Sequence, residues 1–537
     1  MREYQKIDRG LDFKYSSVYS LLYDKYLNNP EKEFVFSLQK SDHEVYTYRQ
    51  FISKVIKVRL FLEKTGLKKG DSINLILPNS ADFLVLYFAA LSSGIIVCPI
   101  NYSLVPREIA YIVNDSKSKI LFTDEEYIRK VEDILPEIPG IRKIIIFSRN
   151  QADVKYFNLY EAIDDSPCEI IGHDNINLDD KSVVIYTSGT SGNPKGVTLT
   201  HANLLADAQA IAEWFSFDEE TRTLCILPLF HNNGQVVTFL APLWAGGSTI
   251  MIKGNVSLIA FWDLVEKYKA TWTSVIPTIL SVLLSFKRKR KDNQMKGIIC
   301  GGALLPRSVQ LQFEEIYNVP VFEGYGLTET TSFSCFNPLK VNDRKIGSIG
   351  KELPVNEMSI MDDEGNILPD NSVGEICIRG YNVFLEYCNL PERDKIAFRG
   401  GWFHSGDFGF KDSDGFYYIS GRKDDLIIKG GENLYPREIE NVVYMHPAVK
   451  DCAAIGIDHP IWGQDVAIFI EGKENMVMTS EEIRKFCEDK IAVFKIPSKV
   501  YFINELSGLN EIPKGPTKKI LRKELEKFYK ENLADKS

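Results

Sequence analysis

Between Phe34 and about Ile250, short apolar β-branched runs alternate with stretches of helical periodicity, and no other feature limits the fold as tightly. The runs at 72–77, 95–99, 120–122, 144–147 and 183–186 are each one strand long. Strands that are apolar on both faces and separated by helices form parallel sheets, because a parallel pair needs a long crossover connection. The alternation resumes at 273–276, 297–300 and 319–323. From about Gly347 the strands crowd together, spaced by turn signals at 362–366, 373–374 and 412–415, which predicts a small β-rich subdomain. Past Gly421, alternating segments at 453–457 and 466–470 mix with a charged helical stretch at 480–490. The expected class is therefore α/β: a large N-terminal domain of parallel-rich sheets flanked by helices, the β-rich subdomain, and an α+β C-terminal domain. The boundary falls between residues 1–421 and 422–537. No internal repeat is visible.

A chain of 537 residues is too long for one hydrophobic core, in keeping with that division. Its net charge of −9 argues against a general nucleic-acid binder. The nine cysteines and seven histidines are scattered, without C-x-x-C or H-x-x-x-H, so no zinc site is expected and free thiols in a reducing cytoplasm are the simplest reading. No signal-peptide core follows Met1. Residues 83–100 carry no charge, but Ser92-Ser93-Gly94 splits them into a helix, capped by Asn79 or Ser80, and a strand. Residues 223–252 are also uncharged, yet Asn232, Asn233, Gln235 and two prolines make a poor bilayer segment. The basic run Lys287-Arg288-Lys289-Arg290-Lys291 reads as the solvated end of a helix.

Directly behind the strand at 183–186 comes YTSGTSGNPKG, Tyr186 to Gly196. Its glycines expose backbone N–H groups, and Thr187, Ser188, Thr190, Ser191 and Lys195 add donors, a composition suited to phosphate. It is not the G-x-x-x-x-G-K-[ST] loop. A flexible surface linker is the alternative, but a linker has no reason to sit behind a buried strand. Five further stretches follow in order: LPLFHNNG (227–234), VFEGYGLTET (321–330), GWFHSGDFG (401–409), GRKDDLIIKGGENLYPREIE (421–440) and IPKGPTKKILRKEL (512–525). The G-x-G-x-x-E run at 324–329 lacks the third glycine of a dinucleotide fingerprint.

In this order and spacing the six stretches resemble the adenylate-forming superfamily of acyl-CoA synthetases, peptide-synthetase adenylation domains and luciferases. The resemblance runs from about Thr47 to Leu525. It implies an enzyme that joins a carboxylic acid to the α-phosphate of ATP, releases pyrophosphate, and passes the acyl group to CoA. By resemblance, Lys195 and the loop of Thr187, Ser188, Gly189, Thr190, Ser191 and Gly192 hold the β- and γ-phosphates, and Glu329 ligates Mg²⁺ together with Thr187. Tyr325 lies against the adenine and Glu323 accepts from its amino group. Gly302 and Ala303 let backbone approach the adenine ring, Gly324 and Gly326 belong to the same nucleotide site, and Thr328 meets the α-phosphate. Asp407 and Arg422 contact the ribose. His231 is read as a pocket wall and orienting group, although a lone histidine in an apolar segment is more often a satisfied core residue.

Lys519 corresponds to the lysine that bridges carboxylate and α-phosphate. The family commonly has Pro-Thr-Gly-Lys here, whereas this chain has Pro516-Thr517-Lys518-Lys519, and the spacing to Ile520-Leu521-Arg522 favours Lys519. Asp424 matches the hinge about which a mobile C-terminal domain turns, within 422–425, and Gly430-Gly431 leave room for the pantetheine arm of CoA. The acid is expected to be fatty or aromatic, in a pocket of His231, Asn232, Asn233, Val236, Val237, Cys300, Gly301 and Phe333. Loading of a carrier protein's phosphopantetheine is the alternative, but such ligases usually carry an insertion for which 375–409 has no room. A non-catalytic nucleotide-binding relative would have lost Lys195, Lys519 or Glu329, and all three are present.

Overall fold

The computed structural model describes the whole chain apart from residues 1, 6, 8–9, 40–41, 148–155, 164–167, 173–174, 188–192, 254–257, 287–293, 304, 474–475, 477, 489, 516–519 and 535–537. The predicted alternation builds two large sheets. One has nine strands in the order Lys351–Glu352, Cys335–Phe336, Val321–Tyr325, Gly297–Cys300, Trp272–Val275, Arg222–Cys225, Ser248–Ile252, Glu33–Gln39 and Asp42–Thr47. From Val321–Tyr325 through Glu33–Gln39 all neighbours are parallel, and the outer pairs are antiparallel. The other has eight strands: Glu386–Tyr387, Lys195–Thr200, Lys181–Thr187, Ile96–Pro99, Ser72–Ile76, Ile120–Asp124, Lys143–Phe147 and Phe157–Asn158.

Helices between these sheets are held by local signals and by burial. Thr47 and Gln50 form a capping box on Tyr48–Lys64. Ser80 caps Ala81–Ser92, its Oγ accepting the N–H of Phe83 at 3.1 Å. Every residue of Ala81–Ser92 except Asp82 is buried, as a helix apolar all round requires. Phe88 in this helix lies 5.9 Å from Phe51 and 5.5 Å from Phe239, and Phe239 lies 5.4 Å from Phe34. The uncharged stretch 83–100 is thus a core helix and the strand Ile96–Pro99, and among the described residues no helix is long and apolar enough to cross a membrane.

The β-rich subdomain is a five-stranded antiparallel sheet of Asn356–Met361, Gly374–Gly380, Trp402–Lys411, Phe398–Arg399 and Tyr417–Arg422. A second five-stranded sheet beyond it contains Glu432–Leu434, Ile427–Lys429, Gly463–Gly472, Val449–His459 and Lys499–Phe502. Alternate residues of Val449–His459 enter separate cores, Cys452 and Ala454 on one face and Ala453, Ile455 and Ile457 on the other. One expected strand is displaced usefully. Pro320 has no N–H to donate, so the strand expected at 319–323 runs from Val321 to Tyr325 and puts Glu323 and Tyr325 on the same face. The basic run at 287–291 lies outside the described residues.

Candidate active site

The glycine-rich loop joins two antiparallel strands, Lys181–Thr187 and Lys195–Thr200, with Thr187 directly opposite Lys195. It is a long hairpin connection, not a strand-to-helix turn. Of the residues assigned to phosphate, Ser188, Gly189, Thr190, Ser191 and Gly192 lie outside the described residues. The two that frame them, Thr187 and Lys195, are half-buried. Burial pushes the Lys195 ammonium below the usual lysine range, the Arg393 and Arg422 charges act the same way, and Glu329 and Asp424 oppose them. Its Nζ stands 5.7 Å from the centre of the Tyr387 ring.

Glu329 belongs to the turn Thr328–Thr330 that follows the strand Val321–Tyr325, and Tyr387 Oη donates to its Oε1 at 2.9 Å. The turn is tightly constrained. A Cβ on Gly326 would lie 2.5 Å from Phe333 Cα, and one on Gly324 would lie 2.5 Å from Phe336 Cε1. Thr331 has φ +63° and ψ −65°, a rare conformation for a β-branched residue. Three side chains secure it. Asn232 Nδ2 donates to the carbonyls of Thr331 and Thr328, Asn382 Nδ2 donates to Phe333 O at 2.9 Å, and Asp207 Oδ2 accepts the Phe333 N–H at 3.2 Å. Asp207 is fully buried, and burial lifts its carboxyl well above the usual carboxylate range.

Beside this turn the residues assigned to adenine and ribose converge. Asp407 takes the Tyr325 hydroxyl at 2.7 Å and Arg422 Nε at 3.0 Å, one on each oxygen. Cys300 and Glu323 face each other in the sheet register. Glu323 is buried with Oε2 unpaired, and burial raises its carboxyl to about 7 against the pull of the Arg437 charge. A buried acceptor with an unsatisfied lone pair is what a donor such as an adenine amino group would satisfy. Gly302 has φ +82° and, among the described residues, only Ile276 near its missing side chain, at 3.6 Å, and Gly302 and Ala303 are both exposed.

The pocket residues divide. Val236 and Val237 are 0% and 1% exposed inside the main core, within a π-helical turn, Val236–Leu240. Phe333 is 2% exposed and covers Gly301, where a Cβ would lie 2.5 Å from its ring. His231 and Asn233 are half-buried, with the His231 ring 4.6 Å from that of Phe230. Gly430 and Gly431, with φ +61° and +89°, form the two-residue turn of the hairpin Ile427–Lys429/Glu432–Leu434, a geometry that itself favours glycine. Asp424 lies in the short turn Lys423–Asp425. Lys518 and Lys519 are outside the described residues; nearby, Arg522 pairs with Asp425 at 3.1 Å and Glu440 at 2.6 Å.

Family models for the AMP-binding enzyme and its C-terminal domain match residues 24–388 and 438–508. The chain belongs to the AMP-binding enzyme family. Among curated relatives, the oxalate–CoA ligase of Arabidopsis thaliana is 32% identical over 85% of this chain and 88% of that protein. The sulfoacetate–CoA ligase of Cupriavidus necator is 33% identical over 86% and 88%. A crystal structure of an anthranilate CoA ligase with anthranoyl-AMP superimposes with a TM-score of 0.88 at 25% identity, covering 97% of this chain and 99% of that one.

In this AMP-binding enzyme the donor set fits Mg²⁺. Glu329 and Thr187 offer hard oxygens, and among the described residues the Tyr387 hydroxyl occupies only one of the carboxylate's lone-pair sites. Sequence reasoning missed Tyr387, Arg437, Asp207 and Asn382. Each reaches the site from a distant element, and Asp207 and Phe333 are 126 residues apart. No local pattern marks such residues. An acid among the alanines and leucines of 204–212 was the one available signal, and it applies to Asp207 alone.

Proposed function

We propose that this enzyme is an AMP-forming carboxylate–CoA ligase: it couples a carboxylic acid to AMP with release of pyrophosphate, then transfers the acyl group to CoA. The observation that carries the reading is the convergence of Lys195, Glu329 and the Tyr325–Asp407–Arg422 cluster beside the buried acceptor Glu323. In it, Lys195 and the loop 187–192 hold the β- and γ-phosphates, and Tyr325, Glu323, Asp407 and Arg422 hold the nucleoside. Gly302, Ala303 and Thr328 flank the nucleotide. Mg²⁺, held by Glu329 with Thr187, would neutralise phosphate charge. Lys519 serves adenylation, and Gly430-Gly431 serve thioester formation after a turn about Asp424. The unit boundary at about 421 follows from that hinge. The names of the relatives, all CoA ligases, support the acceptor. Nine unpaired thiols agree with a cytoplasmic location.

Between the expected fatty and aromatic acids, we favour an aromatic or short acid over a long-chain one. Val236, Val237 and Phe333 are packed against protein, which leaves His231 and Asn233 as the more accessible wall. The test is pyrophosphate release over a panel of acids, with and without CoA. AMP, pyrophosphate and thioester are the expected products. Stoichiometric ADP would refute the reading, and acyl-AMP that transfers only to a carrier protein would replace CoA as acceptor.

A further inference from the structure

We propose that Tyr387 is a positioning residue for nucleotide activation: its hydroxyl orients the Glu329 carboxylate while its ring faces the Lys195 ammonium. The inference rests on the roles proposed above for those two residues. Two contacts carry it, the 2.9 Å hydrogen bond to Glu329 Oε1 and the 5.7 Å approach of Lys195 Nζ to the ring centre, within the range of a cation–π contact. Glu329 and Lys195 feel each other's charge, yet among the described residues they form no ion pair. A direct pair would take up the carboxylate oxygens and the ammonium that cation and phosphate need. The tyrosine holds one oxygen of Glu329 away from that pairing.

Its own placement is rigid. The strand Glu386–Tyr387 pairs with Lys195–Thr200, Tyr387 opposite Val197, and the Cys388 N–H donates to Gly196 O at 2.7 Å. Tyr387 therefore shares a backbone ladder with the strand that Lys195 begins. The Phe384 N–H donates to Glu329 O at 2.9 Å, tying the same segment to the other partner. On the outer side the Tyr387 N–H donates to Asp394 at 2.8 Å, Glu386 pairs with Arg2 and Lys181, and Tyr4 Oη donates to Leu385 O at 2.5 Å. Aromatic stacking continues this support from Tyr4 through Phe398 and Phe384 to Tyr387, with ring centres 3.7, 4.9 and 4.7 Å apart. Groups that orient a metal-ligating carboxylate in this way typically change metal affinity or activity by about 10- to 100-fold when removed.

The experiment compares Tyr387→Phe, which keeps the ring, with Tyr387→Leu, which loses both contacts. Calorimetry measures binding of α,β-methylene-ATP across a Mg²⁺ titration, and ATP–pyrophosphate exchange gives kcat and the KM for the acid. For Tyr387→Phe we expect the Mg²⁺ concentration at half-maximal nucleotide binding to rise by about 10-fold or more. Excess Mg²⁺ should restore binding, and the KM for the acid should not move. Tyr387→Leu should bind the nucleotide more weakly even at saturating Mg²⁺. If the leucine variant does not fold, the phenylalanine variant decides. Glu329→Gln separates this inference from its premise. If that variant raises the Mg²⁺ requirement and Tyr387→Phe does not, the role of Tyr387 is refuted and that of Glu329 stands. If neither raises it, both are refuted.

Discussion

If Glu323 accepts from the adenine as proposed, it links pH to both stability and nucleotide binding, and Glu323→Gln exposes the link. Burial lifts its carboxyl from the ordinary 4.5 to about 7. A folded-state value above the unfolded one means that the folded protein holds this proton more tightly. The contribution is complete below about pH 4.5 and is lost as the pH rises through about 7. The gap from 4.5 to about 7, at ~1.36 kcal/mol per pH unit, corresponds to about 3 kcal/mol. Glutamine keeps the shape and does not titrate, so the unfolding free energy of the wild type should fall relative to Glu323→Gln by about that amount between pH 4.5 and 7.5. Denaturant titrations at several pH values measure the difference. Arg437→Met, which removes the opposing charge, should move the fall to higher pH. An adenine amino group donating to the carboxylate favours the ionised form, so ATP-analogue affinity should rise through pH 7 in the wild type and stay flat in the variant. Parallel stability curves for wild type and Glu323→Gln would refute the reasoning, because they would mean that the buried carboxyl titrates as an exposed one does.

Asp207→Leu strands the buried Phe333 N–H and should cost about 1–3 kcal/mol in denaturant unfolding, whereas Asp207→Asn keeps an acceptor and should recover most of it. Gly326→Ala must push the Ser332–Phe333 backbone away, so it should lower the melting temperature and weaken ATP-analogue binding together. Gly430→Leu should slow thioester formation and spare adenylation, but it also meets Trp462 at 2.9 Å in a left-handed backbone. Gly431→Ala, with open space around it, is the control that isolates the backbone cost, about 1 kcal/mol. Lys519→Ala should lower acyl-AMP formation by about 10² and leave thioester formation from supplied acyl-AMP near normal. A larger loss from Lys518→Ala would reassign the role to the neighbouring lysine.

The layered fold was legible because its signal is local: apolar runs of strand length separated by helical stretches, with Asn79 or Ser80 expected to cap one helix and Ser80 found to do so. The site was legible only where a motif carries its own chemistry along the chain, as in Glu323–Glu329. Contacts between motifs depend on register across strands far apart in sequence, which tertiary packing sets. Thr187 meets Lys195 because a hairpin aligns them, and Tyr387 meets both Lys195 and Glu329 because a two-residue strand docks beside that hairpin. Neither Leu385-Glu386-Tyr387 nor Pro436-Arg437 announces such a role.

The glycines carry a further lesson. Gly301 was expected in the acid pocket and Gly324 and Gly326 at the nucleotide, yet the space beside their missing side chains holds Phe333, Phe336 and the Ser332 carbonyl. They maintain the sharp path of the chain from Tyr325 to Phe336, and so deliver Glu329 indirectly. Gly302, exposed at φ +82° with Ile276 alone nearby among the described residues, keeps the open approach that was expected of it. A relative could therefore preserve the first three for backbone shape after losing catalysis. The glycines are evidence for the turn, and it is Lys195, Glu329 and Asp407 together, brought into one place by three different elements, that are evidence for the chemistry.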